Sequence, residues 1–331
     1  MKRAARSGLA VLVLLVVGLL LWPEARPGPT GGWMAAAGLE PRFATVGGLR
    51  VRYVEQGSGP AVVLLHGFGS SIYTWKDVLP ALARTGRVVA LDFPGFGGSD
   101  RPPDLSFDMF PGVVLGLLAQ LAIREAALVG NSMGGAVAVV IAARQPERVP
   151  RLVLIDAAGY NTGPGQRPWN IDLVSSRAAG ALLDRLPLRG PLVRLGLQQV
   201  FYDDALVTPE RVDEYLAPLL RPGTSAAIRS LMVTRTVRPS LVAELAPQVK
   251  APTLILWGRQ DRWIPVAQAD RFASAIPGSR KVILDGCGHL PEEERPDEVI
   301  RLLTEFLGTH HKGVLPPAPA TSARQGMKRV P

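Results

Sequence analysis

A serine that attacks a carbonyl needs an imidazole to take its proton and a carboxylate to orient that imidazole, and this chain offers few candidates for each part. Ser132 stands in Gly130-Asn131-Ser132-Met133-Gly134, after the apolar run Ala126-Ala127-Leu128-Val129 and before the small-residue stretch Gly135-Ala136-Val137-Ala138. Glycines two before and two after the serine leave room for the chain to double back. The spacing therefore predicts a sharp strand-to-helix turn with Ser132 at its tip. A helix N-terminus there presents unpaired N–H groups that favour developing negative charge. The chemistry this points to is acyl transfer to serine.

Only four histidines are present, His66, His289, His310 and His311, and the last two lie in a Pro- and Ala-rich tail. The base is therefore His66 or His289. His289 follows the strand-like run Lys281-Val282-Ile283-Leu284 in the loop Asp285-Gly286-Cys287-Gly288-His289, which places it at the carboxyl end of a strand. His66 closes the apolar run Ala61 to Leu65 and precedes Gly67-Phe68-Gly69, so its expected job is to shape a turn that aims a backbone N–H outward. His289 is the preferred base. The preferred carboxylate is Asp261, in a Gly-led loop after Thr253 to Trp257. Asp156, at the end of Leu152-Val153-Leu154-Ile155, is the competitor, because that strand would lie beside the elbow strand. Asp92 and Asp285 read as structural loop residues. One cysteine and two histidines outside the tail leave little for a zinc site, and no metal or organic cofactor is expected. Cys287 reads as a small loop-packing residue, and an internal disulfide is excluded.

Bringing these loops together calls for strands alternating with helices. A chain of 331 residues that is 47% hydrophobic can hold one large α/β core plus an insertion. A hairpin-like pair is expected at Phe43 to Val46 and Leu49 to Val54, then strands at Ala61, Val88, Ala126, Leu152, Thr253 and Lys281, with a last helix from Asp297 to Leu307. Pro111 should start or kink the helix before the elbow strand. Between Ile155 and Thr253 there is too much chain for one crossover, and 161–248 reads mostly as helices forming a cap. Leu182, Leu183, Leu186, Leu192, Leu195, Leu197, Phe201, Tyr202, Tyr215 and Leu231 are candidates to line an acyl pocket facing Ser132, with helix-on-helix packing as the alternative for each. The expected organisation is a membrane anchor or signal at 1–22, a Pro-, Gly- and Ala-rich linker at 23–39, the two halves of an α/β core at 40–160 and 249–309, the cap at 161–248, and a disordered tail at 310–331.

The formal charge of +9 does not point to nucleic acid: six of the 37 basic residues are lysines, the arginines are scattered, and no RNA- or DNA-binding motif is present. Part of the excess is terminal. Lys2, Arg3 and Arg6 precede the apolar stretch Leu9 to Trp22, and no charge occurs from Ser7 to Pro23. That length is at the short end of a bilayer span, and the basic flank predicts a cytoplasmic start. Pro23 and Glu24 follow without the small residues of a cleavage site, which favours an uncleaved anchor with the catalytic domain outside the cytoplasmic membrane. A secreted or periplasmic protein released by cleavage is the alternative.

These motifs, in this order, resemble the α/β-hydrolase superfamily from about residue 42 to 309. His66-Gly67-Phe68-Gly69 is similar to its oxyanion turn and Asp92 to Ser99 to the loop after its fourth strand. Gly130 to Gly135 resembles its elbow, Gly258-Arg259-Gln260-Asp261 with Pro265 its acid loop, and Gly288-His289 with Glu294 and Pro296 its histidine loop. The resemblance implies an α/β-hydrolase fold, a mostly parallel sheet flanked by helices with an inserted helical cap. It implies Ser132 as nucleophile, His289 as general base and then acid, Asp261 as orienting carboxylate, and the N–H groups of Phe68 and Met133 as oxyanion hole. The dehalogenase and epoxide-hydrolase branches carry an Asp at the elbow, so Ser132 argues against both. What remains is a serine hydrolase of carboxylic esters, esterase- or lipase-like, on small or lipid-like acyl substrates; membrane-bound monoacylglycerol lipases have a similar layout. A carbon–carbon hydrolase of dienoate ring-fission products is the first alternative, and a catalytically silent binding protein on the same fold the second. Oligomeric state is open.

Overall fold

The computed structural model describes residues 27–160, 189–233 and 238–308. Eight strands form one sheet: β1 (Arg42–Val46), β2 (Leu49–Gln56), β3 (Ala61–Leu65), β4 (Arg87–Leu91), β5 (Ala127–Asn131), β6 (Leu152–Ile155), β7 (Thr253–Gly258) and β8 (Arg280–Leu284). Their order is β1-β2-β4-β3-β5-β6-β7-β8. The β1–β2 and β2–β4 pairs are antiparallel and every later pair is parallel. This is the α/β-hydrolase arrangement expected from the sequence, and each expected strand is present. The helices are α1 (Gly32–Ala36), α2 (Val78–Leu82), α3 (Met109–Gln120), α4 (Met133–Arg144), α5 (Arg189–Val200), α6 (Pro209–Leu219), α7 (Thr224–Val233), α8 (Pro239–Leu245), α9 (Ala267–Ala275), α10 (Pro291–Glu294) and α11 (Pro296–Gly308). Pro111 lies in the first turn of α3, where its missing N–H costs no helix bond.

The central strands are apolar at nearly every position because both faces of the sheet are covered. Alternation sends Val63, Leu65, Leu128, Leu152, Leu154, Ile255 and Trp257 into one core and Val62, Leu64, Val129, Val153, Ile155, Leu254 and Leu256 into the other. Parallel register then aligns the strand ends: Leu65 pairs with Gly130, Asn131 with Ile155, and Ile155 with Leu256. The loops leaving β3, β5, β6 and β7 consequently meet at one edge of the sheet.

Residues 23–39, expected to be a linker, are docked over their described part. Gly28 N donates to Asp213 Oδ2 at 2.9 Å and Gly31 N to Glu214 Oε1 at 2.6 Å. Met34 and Leu39 are buried, and the Trp33 ring meets Tyr73 edge-on at 5.8 Å. The apolar content of this segment, Trp33, Met34 and Leu39, explains why it packs despite its glycines and prolines. No helix among the described residues is long and apolar enough to cross a membrane; the expected anchor at 1–22 and the tail at 310–331 lie outside those residues.

Candidate active site

Ser132 forms the tip between β5 and α4, with φ 51° and ψ −116°. A non-glycine residue at positive φ costs of order 1–3 kcal/mol and persists only when its surroundings over-determine it. Here they do. Ser132 N donates to Ile155 O at 2.9 Å, and the Ser132 carbonyl accepts from Ala136 N at 3.2 Å and Ala158 N at 2.9 Å. A β-carbon placed on Gly130 would lie 2.4 Å from Gly134 O, so the chain can double back only with glycine there. On the other side, a β-carbon on Gly67 would fall 2.7 Å from Asn131 Oδ1 and 3.1 Å from the Ser132 β-carbon. The β3 turn thus runs directly against the serine. Phe68 lines the same cavity as Ser132, and Met133 is the first residue of α4, where a backbone N–H has no intrahelical acceptor.

His66 shapes that turn, as expected. Its ring is fully buried, Nδ1 lies 2.7 Å from Gly67 O, and Nε2 accepts from Phe93 N at 3.0 Å. These partners assign the proton to Nδ1, and burial lowers its pKa, keeping the imidazole neutral.

His289 and Asp261 come together although 28 residues separate them: Nδ1 lies 2.7 Å from Oδ2. The other Asp261 oxygen, Oδ1, accepts from Trp263 N at 2.7 Å and Ile264 N at 3.0 Å, so a tight turn fixes the carboxylate. With Nδ1 engaged, Nε2 is the nitrogen left to accept a proton. The histidine loop is itself clamped. His289 N donates to Val200 O at 2.7 Å, and Asn131 Nδ2 donates to His289 O at 3.0 Å. Glu294 accepts from Gly288 N at 2.8 Å and Tyr202 N at 2.7 Å. Glu294 is raised to about 7, mainly by burial. Asn131 was readable only as part of the elbow, and its amide turns out to tie the serine turn to the histidine loop.

Asp156, the competing acid, sits in the same cluster: one ligand atom from each of Asp156, Asp261 and His289 lies within 4.8 Å of the others. It is fully buried at φ 44°, and its Oδ1 accepts from Gly258 N at 3.0 Å. Burial and the neighbouring Asp261 hold its carboxyl well above the usual range. Asp92 and Asp285 are structural, as expected. Asp92 accepts from Ile72 N at 2.8 Å and Gly98 N at 2.7 Å beside Arg52, while Asp285 pairs with Arg259 at the surface. Cys287 is buried in the second core and its thiol is pushed far up by burial, consistent with packing.

Above Ser132 and His289 lies a cavity of about 220 Å³, walled by Leu192, Val193, Leu197, Val200, Leu219 and Leu290, with Phe68, Gly196, Tyr215 and Trp263 and, at the β3 turn and the elbow, Gly67, Gly69, Ser70 and Asn131 also lining it. Of the expected lining residues, Leu192, Leu197 and Tyr215 are there. Phe201 and Leu231 are instead fully buried in packed cores, and Leu195 and Tyr202 are exposed. Leu182, Leu183 and Leu186 lie outside the described residues. The reason is helical phase. Positions 192, 193, 196, 197 and 200 share one side of α5, whereas 195 is rotated away. Tyr215 turns its hydroxyl to the buried Glu293, which also pairs with Arg211 at 3.1 Å.

The family described as alpha/beta hydrolase fold matches residues 60–296. Over 277 residues the chain is 32% identical to the 2-hydroxy-6-oxo-2,4-heptadienoate hydrolase of Pseudomonas putida, a match covering 80% of this chain and 95% of that protein. Among solved structures it is similar to a bacterial membrane phospholipase A, at TM-score 0.68 and 28% identity over 93% of this chain and 98% of the other. It is also similar to a meta-cleavage product hydrolase from Pseudomonas fluorescens, at TM-score 0.70 and 28% identity over 81% and 97%.

Proposed function

We propose that this chain, which belongs to the α/β-hydrolase superfamily, is a serine hydrolase that cleaves carboxylic esters of apolar acyl groups. The observation that carries the ester reading is the cavity wall. Among the described residues that line it there is no arginine or lysine, and Leu192, Val193, Leu197, Val200, Leu219 and Leu290 give it a largely aliphatic wall. An uncharged, apolar acyl chain fits such a wall, whereas a substrate carboxylate would be desolvated there without a counter-charge.

In this reading His289 takes the Ser132 proton on Nε2 as Oγ attacks the ester carbonyl. Asp261, fixed by the Trp263 and Ile264 N–H groups, holds the ring with its Nδ1 proton inward and offsets the imidazolium charge. The backbone N–H groups of Phe68 and Met133 stabilise the tetrahedral oxyanion, a contribution of about 3–4 kcal/mol per donor in comparable sites. His289 then returns the proton to the leaving alcohol, and water activated by the same ring releases the acid from the acyl-enzyme. None of these steps calls on a cofactor.

The N-terminal segment 1–22 holds the enzyme at a membrane with its catalytic domain outside the cytoplasm, close to a source of lipid-like esters. What supports this is the basic-then-apolar sequence pattern and the extent of the match to the membrane phospholipase A, which reaches 93% of the chain. Carbonate-resistant sedimentation of the full chain, lost when 1–22 are removed, is the expected result; a full chain that stays in the soluble fraction overturns the anchor.

A second reading, hydrolysis of a carbon–carbon bond in a dienoate, is favoured by the Pseudomonas putida relative. One experiment separates them: steady-state and burst hydrolysis of nitrophenyl esters from acetate to palmitate beside loss of a dienoate chromophore, with Ser132→Ala as control. Ester turnover with a chain-length optimum, abolished by Ser132→Ala, supports the proposal. Dienoate turnover without ester turnover replaces it.

A further inference from the structure

Asp156 presents a problem in hydrogen-bond accounting. Its Oδ1 accepts from Gly258 N at 3.0 Å, but its Oδ2 is buried with no donor in reach. Its neighbour is another carboxylate, Asp261, with His289 beyond it and the three ligand atoms within 4.8 Å of one another. The other titratable groups facing Asp156 are Cys287 in the histidine loop and Glu292 on α10. No cation is among these neighbours. Two ionised carboxylates cannot hydrogen-bond each other, and a buried like-charge pair is costly. A single proton between them removes both difficulties, and its location follows from the donors available. Asp261 receives two backbone N–H groups on Oδ1 and the imidazole on Oδ2, which is the environment of an ionised carboxylate. Asp156 receives one N–H and is completely buried, which is the environment of a neutral acid.

We propose that Asp156 is a positioning residue of the hydrolytic site, a neutral carboxylic acid whose Oδ2–H donates to the Asp261 carboxylate and thereby limits the negative charge that His289 faces. This extends the proposed triad and rests on that reading of Ser132, His289 and Asp261. The place in the fold suits the role. Asp156 directly follows β6, the strand between the serine strand β5 and the acid strand β7. Its positive φ of 44° is tolerated better by Asp or Asn than by other side chains. The direction of its pKa, raised by burial and by Asp261, agrees.

The test reads His289 directly, so that it does not depend on knowing the substrate. The chain has four histidines. His66 is buried and neutral and two lie in the tail, so the ring Cε1–H titration of His289 can be assigned by NMR with His289→Gln as reference. Asp156→Asn keeps a neutral donor to Asp261 and should leave the His289 pKa within about 0.3 units of the wild type. Asp156→Ala removes the donor, concentrates charge on Asp261, and should raise the His289 pKa by about one unit, moving the acid limb of kcat/KM to higher pH by the same amount. If Asp156 is ionised instead, both substitutions remove a negative charge and both lower the His289 pKa, which overturns the proposal. No shift in either variant overturns it too. Should Asp156→Ala fail to fold, the infrared C=O band of a protonated carboxyl at pH 7, present in the wild type and missing from Asp156→Asn, supplies the answer, and its absence from the wild type sinks the idea. Loss of the triad reading itself would show separately, as ester or dienoate turnover that survives Ser132→Ala.

Discussion

Replacing Asp261 by Asn tests the proposed site most sharply, because the structure dictates how the amide must sit. Oδ1 is pinned by two backbone donors, Trp263 N at 2.7 Å and Ile264 N at 3.0 Å. An asparagine must therefore place its carbonyl oxygen there, since its NH2 cannot accept from them. The NH2 then faces His289 Nδ1, which lies 2.7 Å from the present Oδ2. It can only donate, so Nδ1 must accept and the ring proton moves to Nε2. An imidazole protonated on Nε2 cannot take the serine proton. The loss is the loss of the correct tautomer, for which about 10⁴ in kcat, or roughly 5 kcal/mol of barrier, is the expected size. The assay is kcat and kcat/KM on the best nitrophenyl ester, with the melting temperature measured alongside to show that the fold survives. Activity within tenfold of the wild type in a folded Asp261→Asn protein refutes the reasoning, and would mean that Asp156 serves as the orienting acid.

Three further outcomes are expected. Gly134→Ala puts a β-carbon 2.1 Å from the Leu65 carbonyl oxygen; the backbone must move, and the melting curve should show a loss of more than about 3 kcal/mol or no soluble protein. Gly196 lines the cavity and a β-carbon there meets nothing within 4 Å, so Gly196→Leu should fold, fill the pocket and move the acyl-chain optimum to shorter esters, an unchanged optimum counting against this wall as the acyl site. Glu294 is raised from 4.5 to about 7 in the folded state, mainly by burial. The folded chain therefore binds this proton more tightly than the unfolded one, and the associated stability is complete below about pH 4.5 and lost as pH rises through 7. Glu294→Gln cannot ionise and should flatten that decline, worth up to about 3 kcal/mol, in denaturant titrations between pH 4.5 and 7; an equally steep decline in the variant would dismiss Glu294 as its source.

The parts of the site that were legible in the sequence are those where one residue type answers to one backbone need. The Gly130-x-Ser132-x-Gly134 spacing encodes a turn that no other side chain could make, and short apolar runs before Ser132, Asp261 and His289 encode parallel strands whose ends must share an edge. Asp156 was visible as a competitor for the same reason. Its relation to Asp261 was not, because it depends on how many donors each carboxylate receives, and those donors, the N–H groups of Gly258, Trp263 and Ile264, are backbone groups that every residue except proline possesses. The segment expected to form the cap was harder still. Its leucines all look alike as a list, yet Leu192 and Leu197 reach the cavity while Leu195 is turned to solvent, a difference set by about 100° of rotation per residue. Counting along α5 separates them only once its register is known.

The segment from Gly28 to Leu39 decides where the chain can be shortened without damage. Its backbone is tied to Asp213 and Glu214 on α6, some 180 residues downstream, and Trp33 leans on Tyr73, which in turn meets Tyr215 edge-on at 5.8 Å. A truncation ending at residue 26 leaves this chain of contacts whole. One that begins at Glu40, where the sheet is about to start, strips a wall from α6 and leaves two carboxylates without their N–H donors. Exchange of leader segments between relatives therefore belongs upstream of Gly28, since Gly28 to Leu39 are packed onto the body.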